Sequence, residues 1–130
     1  MYQKLIIVGR LGRDPEMRFT PSGQAVTSFN VATDNIRTVD GKPVKETTWF
    51  RVSAWGKQAE ACNNFLQKGK IVLVEGRLNV DQKTGGPRIW KSQDGTPRAS
   101  FEISATEIKF LSAKSDDAGA EDAPAEDISF

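Results

Sequence analysis

The three tryptophans are the residues of this sequence best suited to binding chemistry. Trp49 and Trp55 stand six positions apart with Arg51 between them, and Trp90 lies in a turn-rich segment. An indole ring can stack on a nucleic-acid base, which contributes about 1–3 kcal/mol per base whatever the base is. A guanidinium can contact a phosphate or lie flat on a base. These residue types are therefore candidates for holding a nucleic-acid strand.

Residues 49–55 predict a β-strand with two different faces. Phe50, Val52 and Ala54 alternate on one face, and Trp49 and Arg51 begin the other. Because the first face already supplies core residues and an arginine is rarely buried unpaired, we expect the tryptophan face to bind a ligand. At about 3.3 Å per residue the two rings lie roughly 20 Å apart, so each would meet a different base. The alternative is that both rings pack against another layer or a subunit.

Trp90 lies among basic residues. Arg88 and Lys91 flank it, and Asp81 and Asp94 are the only acidic residues from position 81 to 98. An aromatic ring on a basic loop suits a nucleic-acid clamp, with stacking at the tip and positive charge along the sides. The alternative is a ring folded back onto the body of the protein.

Catalytic chemistry has little support in this sequence. There is no histidine, which removes histidine bases and most zinc sites, and the carboxylates form no evident acid–base pair. The single cysteine, Cys62, lies on the apolar face of a predicted helix and is expected to be a buried structural thiol. We therefore predict that the protein is not an enzyme and needs no cofactor and no metal.

The charge is divided unevenly along the chain. Residues 1–112 hold 17 Lys and Arg against 11 Asp and Glu, whereas residues 113–130 hold one lysine against six acidic residues. We predict two parts, a basic domain at 1–112 that meets an anionic partner and a disordered acidic tail at 113–130. Apolar residues are unusual in such a tail, so Asp127, Ile128 and Phe130 are a candidate tip for docking to other proteins. The alternative is a solvating tail whose acidity is explained by disorder alone, with no docking role.

Periodicity and turn signals predict the order of the elements. Strands are expected at 4–13, 24–33, 46–56, 71–80 and 99–111, with a bulge near Thr106 and Glu107 and a brief strand resuming at 17–19. A helix is expected at 57–68, ended by Gly69 and with Phe65 on its apolar face. Residues 34–45 read as a hairpin loop around Asp40 and Gly41, and 81–98 as a long hairpin. This order predicts an all-β, five-stranded Greek-key barrel with one helix between strands 3 and 4, the OB-fold.

Several motifs in register resemble the bacterial single-stranded DNA-binding protein family. They are VGRLGRDPEMRF at 8–19, TWFRVSAWGK at 48–57, FLQKG at 65–69 and VEGRL at 74–78. The resemblance implies that Trp49, Trp55 and Trp90 stack on bases. It also implies that basic residues near the DNA path are Lys4, Arg51, Lys57 and Arg77. Arg88, Lys91 and Arg37 complete the set of candidate contacts.

The resemblance also implies a setting for the protein. The family assembles as homotetramers, and its acidic tip recruits replication, recombination and repair proteins, so we expect both for this chain. No stretch approaches the roughly 18–20 apolar residues of a membrane span, and we expect a cytoplasmic protein associated with the nucleoid. The alternatives are another OB-fold module, directed at RNA or serving in a primosome, and a protein-interaction scaffold.

Overall fold

The alternating segments form strands as expected. The structure is a computed structural model that describes residues 1–112, so the predicted disorder and docking tip of residues 113–130 lie outside the described residues. The elements are β1 (Leu5–Leu11), β2 (Glu16–Phe19), β3 (Ala25–Val39), β4 (Lys42–Trp55), α1 (Lys57–Phe65), β5 (Ile71–Asn79), β6 (Ile89–Lys91), β7 (Pro97–Ala99) and β8 (Phe101–Phe110).

Five of the strands close into a barrel. The main sheet has the order β1-β5-β8-β4-β3-β2, and a further pairing of β1 with β3 joins its ends. The β4–β8 pair is parallel, and the other pairs of the barrel are antiparallel. This confirms the predicted OB-fold, with α1 between the third and fourth barrel strands, β4 and β5. The brief strand expected at 17–19 is β2, which extends the sheet beside β3.

The barrel interior is filled by the inward-facing residues of the alternating strands. Val31, Val52, Val72, Val74 and Ile103 are all fully buried. The helix covers one end of this core with Ala59 and Cys62, and the Thr27 hydroxyl donates a buried hydrogen bond to the Ala59 carbonyl oxygen at 2.6 Å. A close-packed interior of this kind fixes the barrel wall, and it thereby positions the residues on the opposite side of each strand.

The β3–β4 connection is a long arm rather than the predicted loop. The two strands pair continuously until Val39 opposes Lys42. The turn at its tip is the predicted Asp40-Gly41 pair, with φ angles of 52° and 76° that suit a type I′ hairpin turn. The prediction of a loop at 34–45 was wrong because both faces of the arm are exposed. No apolar alternation therefore marks these residues as strand.

The helix is shorter than predicted. It ends at Phe65 rather than at residue 68, because Leu66 adopts an extended conformation and inserts into the core. Phe65, expected on the buried face, is 58% exposed and packs beside Phe110 with ring centroids 5.9 Å apart. Gly69 has a φ of 91° and belongs to the turn that follows the helix.

Two predicted irregularities near the end of the domain are confirmed. Glu75 opposes Glu107 and Gly76 opposes Ala105, so Thr106 is an extra residue that bulges from β8. Strands β6 and β7 form a separate two-stranded hairpin, as expected for residues 81–98. This hairpin carries Trp90 and leads directly into β8.

Candidate nucleic-acid interface

Strand β4 presents its two tryptophans on the side away from the core. Trp49 and Trp55 are 52% and 42% exposed, whereas Val52 and Ala54 on the inner side are fully buried. The side chain of Arg51, half-buried between the tryptophans, makes no hydrogen bond or ion pair within residues 1–112. The guanidinium therefore keeps its hydrogen-bond donors available for a ligand.

The ring of Trp49 packs against Gly12, the residue that directly follows β1. A Cβ atom added at Gly12 would lie 2.6 Å from Cζ3 and 2.7 Å from Cη2 of the ring. Such distances are below van der Waals contact, so the ring needs a glycine at this position. One part of the indole is covered by this contact, and the exposed remainder is a preset surface for stacking.

Trp90 is fixed on the β6–β7 hairpin by a polar contact. Its ring N–H donates a hydrogen bond to the Ser100 hydroxyl oxygen at 3.1 Å, and the side chain is 37% exposed. The ring lines two depressions. One lies towards β4, and the other, of about 530 Å³, lies over the hairpin turn beside Lys91 and Arg98.

Arg88 reaches from the start of the hairpin onto the barrel. Its Nε and Nη2 atoms both donate to one carboxylate oxygen of Glu102, at 3.1 and 2.7 Å. Glu102 lies on β8 directly beside Arg51 of β4 and Asn79 of β5. Arg88 and Arg51 therefore lie on the same outer side of the sheet, with a carboxylate next to both.

These side chains enclose an open groove of about 760 Å³ between β4 and the hairpin. Its main side-chain walls are Trp49, Phe50, Arg51, Arg88, Trp90 and Phe101. The groove thus combines aromatic rings and guanidinium groups, the two components of a single-strand binding channel. It brings together four of the predicted site residues. Trp49 and Arg51 come from β4, and Arg88 and Trp90 come from the segment that contains the hairpin.

The other predicted site residues lie outside this groove. Trp55 and Arg77 are on the same outer side of the sheet. Trp55 is at the far end of β4. Arg77 lies on β5, where it opposes Ser104 of β8. Lys57 is exposed at the start of α1, and Lys91 borders the second depression.

Besides Arg88, two further predicted basic contacts are engaged with acidic neighbours. The Lys4 ammonium lies 3.0 Å from Glu75, and its hydrogen bond and charge interaction with that carboxylate raise the pKa of Lys4. Arg37 lies 2.9 Å from Glu46 on the arm, and the strand alternation gives it the opposite face from Arg51. The structure therefore does not bring Lys4 and Arg37 together with the tryptophan groove.

The sequence reasoning missed four residues of the groove region. Phe50 and Phe101 are neighbours on parallel strands with ring centroids 5.9 Å apart, and Phe101 is 56% exposed. Glu102 and Ser100 hold Arg88 and Trp90. Alternation correctly assigned Phe50 to the core face, where it packs against the core, but did not reveal that it also borders the groove. Nothing local marks the others: the parallel pairing of β4 with β8 places Phe101 and Glu102 here, and the β6–β7 hairpin brings Trp90 to Ser100.

Cys62 is fully buried as predicted, and burial raises the pKa of its thiol to about 12. Within residues 1–112 no group of three or more His, Cys, Asp or Glu side chains is arranged to hold a metal ion. The same residues contain no helix that is long and apolar enough to cross a membrane.

Comparison with known proteins decides the family. The model of the "Single-strand binding protein family" matches residues 2–111. The chain belongs to this family. Members similar to it include the "Single-stranded DNA-binding protein" of Neisseria meningitidis, 37% identical over 117 residues, which are 89% of this chain and 63% of that protein. The chain therefore spans less than two thirds of that relative's length.

Other single-strand binding family members show similar agreement. The "Single-stranded DNA-binding protein" of Clostridium tetani is 40% identical over 109 residues, or 83% of this chain and 69% of that protein. The protein of the same name from Thermotoga maritima is 37% identical over 114 residues, or 87% of this chain and 76% of its own. The predicted family resemblance is thereby confirmed.

Proposed function

We propose that this protein binds single-stranded DNA, with the strand running through the groove between β4 and the β6–β7 hairpin. The observation that carries the proposal is the pairing of half-exposed indole rings with guanidinium groups along one open channel. Membership of the single-strand binding protein family and the names of the relatives support it. The protein acts in this scheme by binding and not by catalysis.

Base stacking and phosphate contacts make separate contributions to binding. Trp49 and Trp90 stack on bases within the groove, and Trp55 extends the path along β4. Arg51 and Arg88 meet phosphates, whose condensed counterions are released to solvent when the strand binds. Stacking needs only the flat face of a base, so binding tolerates any sequence.

The remaining basic residues extend the positive surface beyond the groove. Lys57 and Arg77 are exposed beside the path, and Lys91 borders the second depression beyond Trp90. Lys4 and Arg37 are assigned weaker roles, because they lie outside the groove and each, like Arg88, must exchange an acidic neighbour for a phosphate.

The same geometry favours single strands over duplex. In a duplex the faces of the bases are already covered by their stacked neighbours, so the indole rings cannot reach them. Only the phosphate contacts remain for duplex, and these are weakened by salt. Selection of unpaired strands therefore depends on the tryptophans more than on the basic residues.

Titration of tryptophan fluorescence tests this proposal. Single-stranded oligo(dT) is expected to quench the fluorescence strongly, and a duplex of equal length at the same salt concentration is expected to have little effect. Equal quenching by both would remove the stacking mechanism. Competition with oligo(U) tests the RNA alternative, since no residue of the groove visibly recognises a ribose 2′-hydroxyl.

We further propose that the protein assembles as a homotetramer, in which the outer face of β1 contributes an interface. Ile6 and Val8 on that face are 55% and 45% exposed, and Leu73 lies beside Val8 on β5. Adjacent exposed aliphatic residues are typical of interaction surfaces. Light scattering of Val8→Asp should give a smaller assembly than the wild type. Val44→Asp, at a similarly exposed valine on the arm, is the matched control.

The role in DNA replication, recombination and repair rests on partner recruitment by residues 113–130. Their acidic composition and the apolar Ile128 and Phe130 support a docking segment. We propose that residues 1–112 bind DNA independently of it, on single strands exposed in the nucleoid. A chain truncated after residue 112 should keep its affinity for oligo(dT) and lose binding to replication and repair proteins. Loss of strand affinity instead would place DNA contacts in the tail.

A further inference from the structure

Glu102 is an acidic residue within a surface that is otherwise suited to an anionic ligand. Its side chain is only 16% exposed, and one of its carboxylate oxygens accepts both hydrogen bonds from Arg88. On the neighbouring strand its direct partner is Arg51. A carboxylate in this position opposes phosphate binding, because it carries the same sign of charge as the ligand.

The two arginines of the groove differ in their state before any ligand arrives. Arg88 is already paired through two donors, whereas the Arg51 side chain makes no ion pair within residues 1–112. Adjacent strands lie about 4.8 Å apart, so the backbone of Glu102 is one strand spacing from that of Arg51. Glu102 therefore offsets the charge of Arg88 and reduces the positive potential at Arg51.

We propose that Glu102 is a built-in competitor for the phosphate of the bound strand, and that it limits the affinity of the groove. In the free protein its carboxylate occupies the guanidinium of Arg88. A phosphate gains the full interaction with Arg88 only by displacing that carboxylate. The proposal rests on the proposed binding of single-stranded DNA and names the residue that sets its strength.

This arrangement has a consequence for the salt dependence of binding. A cation that is already neutralised by a carboxylate releases fewer counterions when a phosphate reaches it. Each fully effective phosphate contact steepens the plot of log affinity against log salt by about 0.7 for single strands. Freeing Arg88 should therefore increase both the affinity and this slope.

Glu102→Gln is the variant that tests the proposal, because the amide keeps the shape and an acceptor oxygen but loses the charge. Affinity for a fixed length of oligo(dT) is measured at several salt concentrations. We expect binding to tighten about two- to fivefold at low salt, the range of an exposed ion pair. The log–log slope should steepen by up to about 0.7.

Glu107→Gln is the matched control. Glu107 lies on the same strand, opposes Glu75 and pairs with Lys109 at 3.5 Å, away from Arg88 and Arg51. Its loss changes the net charge by the same amount. A gain of the same size in both variants would overturn the proposal, since it would be a general effect of net charge. Weaker binding by folded Glu102→Gln would also overturn it, and would mean that the carboxylate positions Arg88 productively.

A second variant covers the case in which Glu102→Gln does not fold. Glu102→Ala removes the carboxylate and with it both contacts to Arg88. It should bind oligo(dT) more tightly than the wild type, and unchanged or weaker binding would overturn the proposal. If the wild type itself fails to prefer oligo(dT) over duplex, the proposed function is wrong, and the two failures remain distinguishable.

Discussion

The two faces of strand β4 both carry apolar residues, but one face is buried and the other is exposed. Val52 and Ala54 are fully buried in the barrel, whereas Trp49 and Trp55 on the other side remain about half exposed. Leaving a large aromatic ring in water forgoes stabilisation that burial would supply, roughly 25 cal/mol per Å² of apolar surface. The comparison teaches that the inner face maintains the fold, and it supports our proposal that the outer face keeps its apolar surface for a ligand.

The largest expected effect belongs to the inner face. Ile103→Ala removes a fully buried side chain next to Val52 on the adjacent strand. Loss of buried methylene groups and the cavity left behind should lower the free energy of unfolding by about 2–5 kcal/mol, measured by urea denaturation. Ile36→Ala on the arm, where the side chain is 73% exposed, is the control and should change little. If both substitutions lowered the free energy of unfolding equally, the distinction between buried and exposed positions would be wrong.

The outer face should show the reverse pattern. Trp49→Ala is expected to weaken binding of oligo(dT) by about 1–3 kcal/mol, the value of one stacked base, with little change in the free energy of unfolding. Phe65→Ala is the control, because that ring is equally exposed but lies on α1 outside the groove. If Trp49→Ala destabilises the fold as much as Ile103→Ala and leaves the affinity unchanged, Trp49 belongs functionally to the core.

A smaller effect is expected when the Trp49 ring is displaced and not removed. The methyl group of Gly12→Ala would lie 2.6 Å from the ring, so the ring must tilt away from β1. We expect a loss of oligo(dT) affinity smaller than that of Trp49→Ala, together with altered tryptophan fluorescence. At Gly86 an added methyl meets only the Thr84 hydroxyl at 3.6 Å, so Gly86→Ala is the control. Unchanged affinity in Gly12→Ala would show that the ring orientation is unimportant.

The sequence was most informative where one face of a strand is buried. Alternation across residues 49–55 correctly separated Val52 and Ala54 from the tryptophans, because burial imposes a period of two on a strand. The Asp40-Gly41 turn was predictable for a different reason. Its positive φ angles are a local requirement that few residue pairs meet.

Other features depend on contacts between segments that are distant in the sequence. The arm at residues 34–45 is exposed on both faces, so burial imposes no alternating signal on its strands. The parallel contact of β4 with β8 places Phe101 and Glu102 beside β4, and the path of the chain through residues 81–98 brings Arg88 to Glu102. Arg37 was included for its charge, but only the strand register reveals that it faces away from Arg51.

The thiol of Cys62 is expected to have the smallest effect. It changes how the free energy of unfolding depends on pH, and only at alkaline pH. Burial raises the pKa of its thiol to about 12 from an ordinary value of 9.0, so the folded state keeps the proton where the unfolded state loses it. Between those two values the unfolded state therefore binds fewer protons, and the free energy of unfolding should fall as the pH rises.

A comparison of pH slopes isolates this thiol from the other groups that titrate in alkali. Wild type and Cys62→Ala should show parallel stability below pH 9, whatever offset the missing sulfur causes, and the wild type should decline more steeply above it. The native thiol should also resist a thiol reagent at pH 8 and react rapidly in denaturant. Oligo(dT) affinity should be unchanged, because Cys62 belongs to the same core as Val52. A rapid reaction in the native state would show that the core beneath the inner face opens readily.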